Sequence, residues 1–495
     1  MYLLLSLLPF AIITYFLVVK EAAASKVMFW AYLVTALSLF FVWKQPFFEL
    51  FAASAKGLYI TIDLVFIIAG VLLIFNLLRH TKLLDALEQY LLNLSDKKPI
   101  HIVLIGFFFV MFLEAIAGFG TPALIAAPLL VLVGLRPLSA VVLTLVADSM
   151  AVVFGAFGTP IVVGLQSVSA DIASVTNQVA FLSGSVIVFL PTLMLFLYAY
   201  LEKKPFSDIK QYLAFALVSG LVTATIFVLS ALLFGPELPS VIASLGGLTV
   251  MLGLLKLGVF SQRLSSSPIR KALPAIGSYL VIVFLLVASR INVFGFGDFL
   301  TSLAIYIPVS ADISHTFSAY TPGVLILVSF AIILVLLRPN KQAVLASYHE
   351  TITRSAPVVL TLLLTLMFAQ LIIYSPTPSI ASVIASLFSN TGAYYVFFAS
   401  LLGAFGSFVA GSATVSNIML SAVQIDAATI NGVSESLVLA LQTVGAGAGN
   451  MIAIHNILAV LAVVHIHKGM GRVLRINAAV ALVIVLFVSL LALLL

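Results

Sequence analysis

The chain contains no cysteine, and only 8% of its 495 residues carry a charge. The first absence excludes disulfides and thiolate metal sites. The second excludes an ordinary soluble domain, in which about 25% of residues are charged. No HExxH and no P-loop pattern occurs, so an intramembrane zinc protease or an ATP-driven pump has no support, and neither a metal nor a cofactor is expected. No stretch between apolar runs is long enough for a separate soluble domain. These absences point away from an enzyme.

What is present is apolar. Hydrophobic residues make up 63% of the chain, against about 45–50% in globular proteins. Sixteen apolar segments, bounded by charge or by Pro/Gly clusters, extend from 2–19 to 476–495. The whole of 1–495 therefore reads as one multi-pass domain whose main partner is the lipid bilayer. The first run, Tyr2 to Val19, has no basic region before it and reads as a span, not a cleaved signal peptide. The net charge of +6 fits a basic excess in cytoplasmic loops and does not call for nucleic acid. A homo-oligomer is compatible with this composition.

Two segments are too short to cross. Residues 122–134 would make a helix of roughly 20 Å and 414–425 one of about 18 Å, against a hydrocarbon core of about 30 Å. Each follows a longer segment and a glycine break, so the spacing predicts two re-entrant hairpins, 100–134 and 393–425. With twelve full spans besides, alternation places 20 of the 23 Lys and Arg residues on one side, leaving Lys44, Lys56 and Arg290 on the other. The rich side is expected to be the cytoplasm of a cell bounded by this plasma membrane, with both termini outside. The stretches 290–317 and 338–355 read as linkers.

Long segments at 138–165 and 436–465 follow the hairpins, and each carries glycine-rich sequence near its middle: Gly155-Ala-Phe-Gly-Thr-Pro160 and Gly445-Ala-Gly-Ala-Gly-Asn450. Unbroken, they would span roughly 42–45 Å, too long for a straight crossing. The expected fold is all-α and polytopic. It has about 12 transmembrane helices plus two re-entrant hairpins, in an inverted-repeat arrangement with broken helices. The first core unit covers about 100–165 and the second about 393–465.

Broken helices and hairpin tips expose backbone N–H groups that attract anions. Gly120, Thr121, Ser412 and Thr414 at the tips are thus candidate substrate ligands, with Asn417, Gln442, Asn450, His455 and Asn456 as further polar contacts. The competing explanation is that small residues let helices pack closely. Intramembrane ionisable groups are few: Glu114, Asp148 and His455 are the candidates for proton coupling, since a carboxylate is costly as an anion at membrane depth and histidine titrates near neutrality. No Lys or Arg lies deep in either unit. A single substrate carboxylate can be held by dipoles and hydroxyls, whereas a multivalent anion would ordinarily meet a fixed cation. The pattern favours a monocarboxylate.

The run Glu114-Ala-Ile-Ala-Gly-Phe-Gly-Thr-Pro-Ala, followed by Ala126-Ala-Pro-Leu-Leu, Ala147-Asp-Ser149 and Gly155-Ala-Phe-Gly-Thr-Pro160, resembles the lactate permease family of secondary transporters. So do Gly411-Ser-Ala-Thr-Val-Ser-Asn417, Ala440-Leu-Gln-Thr-Val-Gly and Gly449-Asn-Met-Ile-Ala-Ile-His-Asn456. The resemblance covers nearly the full length. It implies uptake of L-lactate, and in some relatives D-lactate or glycolate, by proton symport across the plasma membrane. Ala413 departs from the Asp or Asn common in that family. A sodium-coupled organic-anion carrier and an anion channel are the alternatives that the same breaks allow.

Overall fold

The computed structural model describes residues 1–20, 22–118, 121–260, 269–466 and 469–494. Among them, twelve helices are long and apolar enough to cross a membrane, and Tyr2–Leu17, Pro122–Leu132 and Pro322–Leu337 are shorter apolar helices. The all-α polytopic architecture expected from composition is what forms. The membership of the twelve differs from expectation, because Lys98–Ile116 and Gly392–Ala410 qualify whereas Tyr2–Leu17 and Pro322–Leu337 fall short of 18 residues.

Three expectations need correction. The stretch 290–317 is not a plain linker: Ala304–Pro308 and Ser314–Ser318 pair as an antiparallel hairpin. Residues 341–355 are the first turns of a 33-residue helix, Lys341–Ile373, started by Asn340, whose side chain accepts from the Ala343 N–H at 2.7 Å. The segment taken as 414–425 is a 19-residue helix, Ala413–Asn431, or roughly 28 Å. Its apolar run stops at Gln424, but the helix continues through a polar last turn. Length alone therefore does not set this helix apart from a full crossing.

A pair of long helices, Phe47–His80 and Lys341–Ile373, forms the frame beside the two units. They are antiparallel. Gly57 lies against the backbone of Met367, so that a Cβ there would be 2.7 Å from its nitrogen, and Asn76 donates to Thr351 Oγ1 at 3.0 Å. The Gln45 side chain, just before the first helix, donates to the Tyr374 carbonyl at 2.9 Å, which fastens the far end.

Each long segment that was too long to cross unbroken is indeed interrupted. Helix Pro137–Ala151 tightens over Val152–Phe154, and then Ala156 (φ 42°), Phe157 (φ 56°) and Gly158 (φ 78°) turn left-handed before the chain resumes to Val162. Left-handed backbone costs an L-residue about 1–2 kcal/mol, so Ala156 and Phe157 persist only because their surroundings fix them. Gly158 has no room for a side chain, since a Cβ would lie 2.4 Å from the Pro236 carbonyl oxygen.

In the second unit, helix Glu435–Asn450 ends, Met451–Ala453 interrupt, and Ile454–Val463 continues. The glycines Gly445, Gly447 and Gly449 are therefore not the break itself. They are helical and allow close approach: Cβ atoms would lie 2.0 Å from the Ser400 carbonyl oxygen at Gly445 and 2.1 Å from that of Ala404 at Gly449. Here the packing explanation applies, and the break follows immediately afterwards.

Candidate functional site

The two units meet where their tips and breaks converge. At the second tip Gly411 adopts φ +65° and Ser412 caps the following helix, its Oγ accepting from the Val415 N–H at 3.4 Å. At the first tip Gly118 adopts φ +56°, and a Cβ there would lie 2.9 Å from that of Ala156. Each tip thus packs on the break of its own unit: Gly118 against Ala156, and Gly411 against His455. Gly120 lies outside the described residues, and Thr121 opens helix Thr121–Leu132 with its side chain likewise outside what is described.

The units meet through polar contacts beside a small apolar cluster of Val152, Ala413 and Ala446. Thr414 Oγ1 donates to Thr159 Oγ1 at 3.3 Å. Asn417 donates from Nδ2 to the Pro160 carbonyl at 2.8 Å and to Thr443 Oγ1 at 2.9 Å. Asn417 is thereby fixed as a bridge from the second hairpin to the first break, its Oδ1 buried without a hydrogen-bond donor. Thr159 was not among the residues singled out from sequence. The repetition of Thr121-Pro122 as Thr159-Pro160 is the signal that could have found it.

A small cavity sits at this junction, with about 20 Å³ of free volume, room for one water molecule. Glu114, Gly118, Thr159, Ser412, Thr414 and Asn450 are among its lining residues. Glu114 and Asp148, each 1% exposed, face one another within hydrogen-bonding reach across the two helices of the first unit. Asn450 donates from Nδ2 to Asp148 Oδ2 at 3.2 Å, and Asn456 donates to Asn450 Oδ1 at 3.0 Å. A polar chain therefore runs Glu114, Asp148, Asn450, Asn456. Among the described residues, no Lys, Arg or His pairs with either carboxyl.

A larger cavity of about 340 Å³ adjoins this junction, sharing Gly411 and Ser412 with it. His455, Asn456, Pro357, Thr361 and Ala23–Ser25 also line it. His455 is exposed into this vestibule and bonds to the Gly411 backbone, so it stands at the mouth and not in the inner cavity. Gln442 lies away from both: its amide accepts from Gln424 Nε2 at 2.6 Å and donates to Ser416 Oγ at 3.0 Å, within a network that Tyr395 also joins. Of the sequence candidates, then, Glu114, Ser412, Thr414 and Asn450 share the inner cavity. His455 and Asn456 face the vestibule, while Asn417 and Gln442 hold the scaffold behind it.

The model of the L-lactate permease family matches residues 2–268 and 268–495. A putative L-lactate permease of Haemophilus influenzae is 26% identical, over 95% of this chain and 94% of that protein. The L-lactate permease of Escherichia coli K12 is 28% identical over 85% of this chain and 82% of its own length. The glycolate permease of the same strain is 25% identical, over 86% and 83% respectively. The solved Alcanivorax borkumensis YdaH transporter covers 84% of this chain and 87% of its own, at 15% identity and a TM-score of 0.33, a likeness too slight to inform this fold. With apolar helices throughout and a family match from end to end, the chain is a multi-pass membrane protein and belongs to the L-lactate permease family.

Proposed function

We propose that this protein takes up L-lactate, or a related small 2-hydroxymonocarboxylate, by proton symport across the plasma membrane. One observation carries the coupling: the Glu114 carboxyl lines the same small cavity as the Ser412 and Thr414 hydroxyls at the second hairpin tip. A substrate carboxylate drawn to that tip by the helix N-terminus and its hydroxyls meets a second carboxyl with no cation beside it. Like charges at such range disfavour each other strongly in a low-dielectric site. The anion therefore binds well only when a proton is bound nearby, and substrate and proton load together. The loaded site carries less net charge, which suits passage through the bilayer.

The inner cavity is too small for a three-carbon acid, so loading requires the tips and breaks to part. The vestibule supplies the approach, and its lining Ala23–Ser25 falls in sequence between Lys20 and Lys26, on the basic side that the positive-inside rule assigns to the cytoplasm. In this reading the chain is closed over its site with the vestibule facing inward and both termini outside. The hairpins at 100–134 and 393–425 are re-entrant, and the units 100–165 and 393–465 are inverted relatives that move together against the frame.

Uptake of labelled L-lactate by proteoliposomes tests the proposal. Accumulation is expected with an inward proton gradient and not with a sodium gradient alone. Accumulation with sodium alone would replace the coupling ion, and unitary currents would replace the carrier with a channel.

A further inference from the structure

The Glu114–Asp148 contact has a chemical requirement of its own. The two side chains sit on separate helices of the first unit, 34 positions apart, and both are almost wholly buried. With both carboxyls ionised, Glu114 Oε2 and Asp148 Oδ1 are orphaned: no donor group reaches either oxygen. Yet the two side chains lie within hydrogen-bonding reach of each other. Two carboxylates offer only acceptors, so a hydrogen bond between them requires a proton on one of the pair. A proton held between the two carboxyls supplies the donor that the pair lacks.

The surroundings reinforce this requirement. From the second unit the pair faces Asn450, which is neutral and donates to Asp148. From the first break it faces Gly155, where a Cβ would lie 2.3 Å from Glu114 Oε1, so the carboxyl fills the space that a side chain would take. Apart from each other, neither carboxyl feels a described charged group from any packed element. Nothing nearby would compensate a double negative charge.

We infer that Glu114 and Asp148 act as one unit that keeps a resident proton between them and exchanges a second, so that the transported proton is the second to bind. Proton by proton, the pair with one proton carries a charge of −1; taking up one from solution makes it neutral, and releasing that one restores the shared bond. Glu114 is the member open to the cavity, while Asp148 is oriented by Asn450 and, through it, by Asn456 at the vestibule. The transport consequence rests on the symport reading above, whereas the resident proton does not.

Infrared spectroscopy of the purified protein in liposomes separates the two claims. The wild type is expected to retain a protonated-carboxyl C=O band at alkaline pH, and Glu114→Gln/Asp148→Asn to lose it. In Glu114→Gln or Asp148→Asn alone, an amide N–H replaces the resident proton as donor, so the remaining carboxyl deprotonates and the band titrates away. Both single variants, confirmed as folded by a monodisperse elution peak, should still accumulate substrate under a pH gradient with altered pH profiles, and the double variant should not. Absence of the band in the wild type, or its persistence in the double variant, would overturn the inference. So would one single variant with unchanged behaviour beside another that has lost all coupling, since the proton would then belong to one residue. A wild type with the band but no pH-driven uptake would leave the pair standing and remove the symport reading.

Discussion

Gly155→Ala tests the carboxyl pair without touching either carboxyl. Gly155 has φ −66° and ψ 158°, a conformation that alanine adopts freely, so the substitution adds no backbone strain. The new methyl carbon would fall 2.3 Å from Glu114 Oε1, and real Cβ atoms essentially never approach closer than 3.0 Å. The carboxyl must retreat by at least about 0.7 Å, which exceeds the whole range of O–H···O distances, about 2.5–3.0 Å. A shift of that size is expected to disturb its approach to Asp148. A hydrogen bond to a charged group is worth about 1.5–3 kcal/mol, and tenfold corresponds to about 1.4 kcal/mol. The midpoint of pH-dependent uptake should move by about one to two units, toward alkaline pH, because the singly protonated pair loses the bond that stabilised it. Proteoliposome uptake measured across a pH series reads this directly. Gly277→Ala, whose Cβ would meet nothing within 4 Å, serves as the control and should leave the profile in place. A wild-type profile for Gly155→Ala would refute the claim that Glu114 works through this contact.

Thr414→Val removes the hydroxyl that bonds Thr159 and faces the cavity; a neutral hydrogen bond of about 0.5–1.5 kcal/mol predicts a rise of about two- to tenfold in half-saturation for lactate. Unchanged half-saturation would take the second tip out of the site. Gly411→Ala forces a left-handed alanine, costing about 1–2 kcal/mol, and places a methyl 1.6 Å from His455 Nε2, so uptake should fall sharply while the protein still inserts; normal uptake would show that the tip and His455 separate at no cost. On the short helix Leu83–Leu92, outside the candidate spans, burial first and then Asp85 push the Glu88 carboxyl up to about 7, with Arg79 opposing. The folded state thus holds a proton that the unfolded chain releases near pH 4.5, and the stability present below that pH is lost as pH rises through about 7. Glu88→Gln should melt higher than wild type at about pH 8.5 and equally only below about pH 4, and equal melting at both would contradict the assignment.

Much of this arrangement is legible in the sequence, and the parts that are not fail for physical reasons. Breaks in 138–165 and 436–465 were signalled by length together with glycine-rich sequence near each middle, since length by itself allows a tilted, unbroken helix such as Phe47–His80. Where the second break falls was less legible. Gly445 and Gly449 are small because helix Glu435–Asn450 packs closely on Tyr395–Ala410, and Gly447 because it packs on Ser149 and Val153 of the first unit; a packing stripe and a helix break draw on the same residues. Helix 341–355 was hidden by Lys341, His349, Glu350 and Arg354, since a search for apolar runs stops at charge; Asn340 as its N-cap was the readable sign. The first unit's ionisable residues were visible one by one. Their pairing was not, because no local periodicity relates position 114 to position 148, and only the fold of the first hairpin against the first broken helix brings them together. Likewise Gln442 looked like a free amide until Gln424 and Ser416 occupied it.

The most direct test of the central claim is the steady-state accumulation of L-lactate in proteoliposomes at a series of imposed pH gradients, with the membrane potential clamped at several values. One proton carried with one monovalent anion moves no net charge. Accumulation should therefore rise about tenfold per unit of pH difference, the ratio that about 1.4 kcal/mol sets, and should not respond to the potential. Accumulation that follows the potential, or that ignores the pH gradient, would contradict an electroneutral proton symport built on this site.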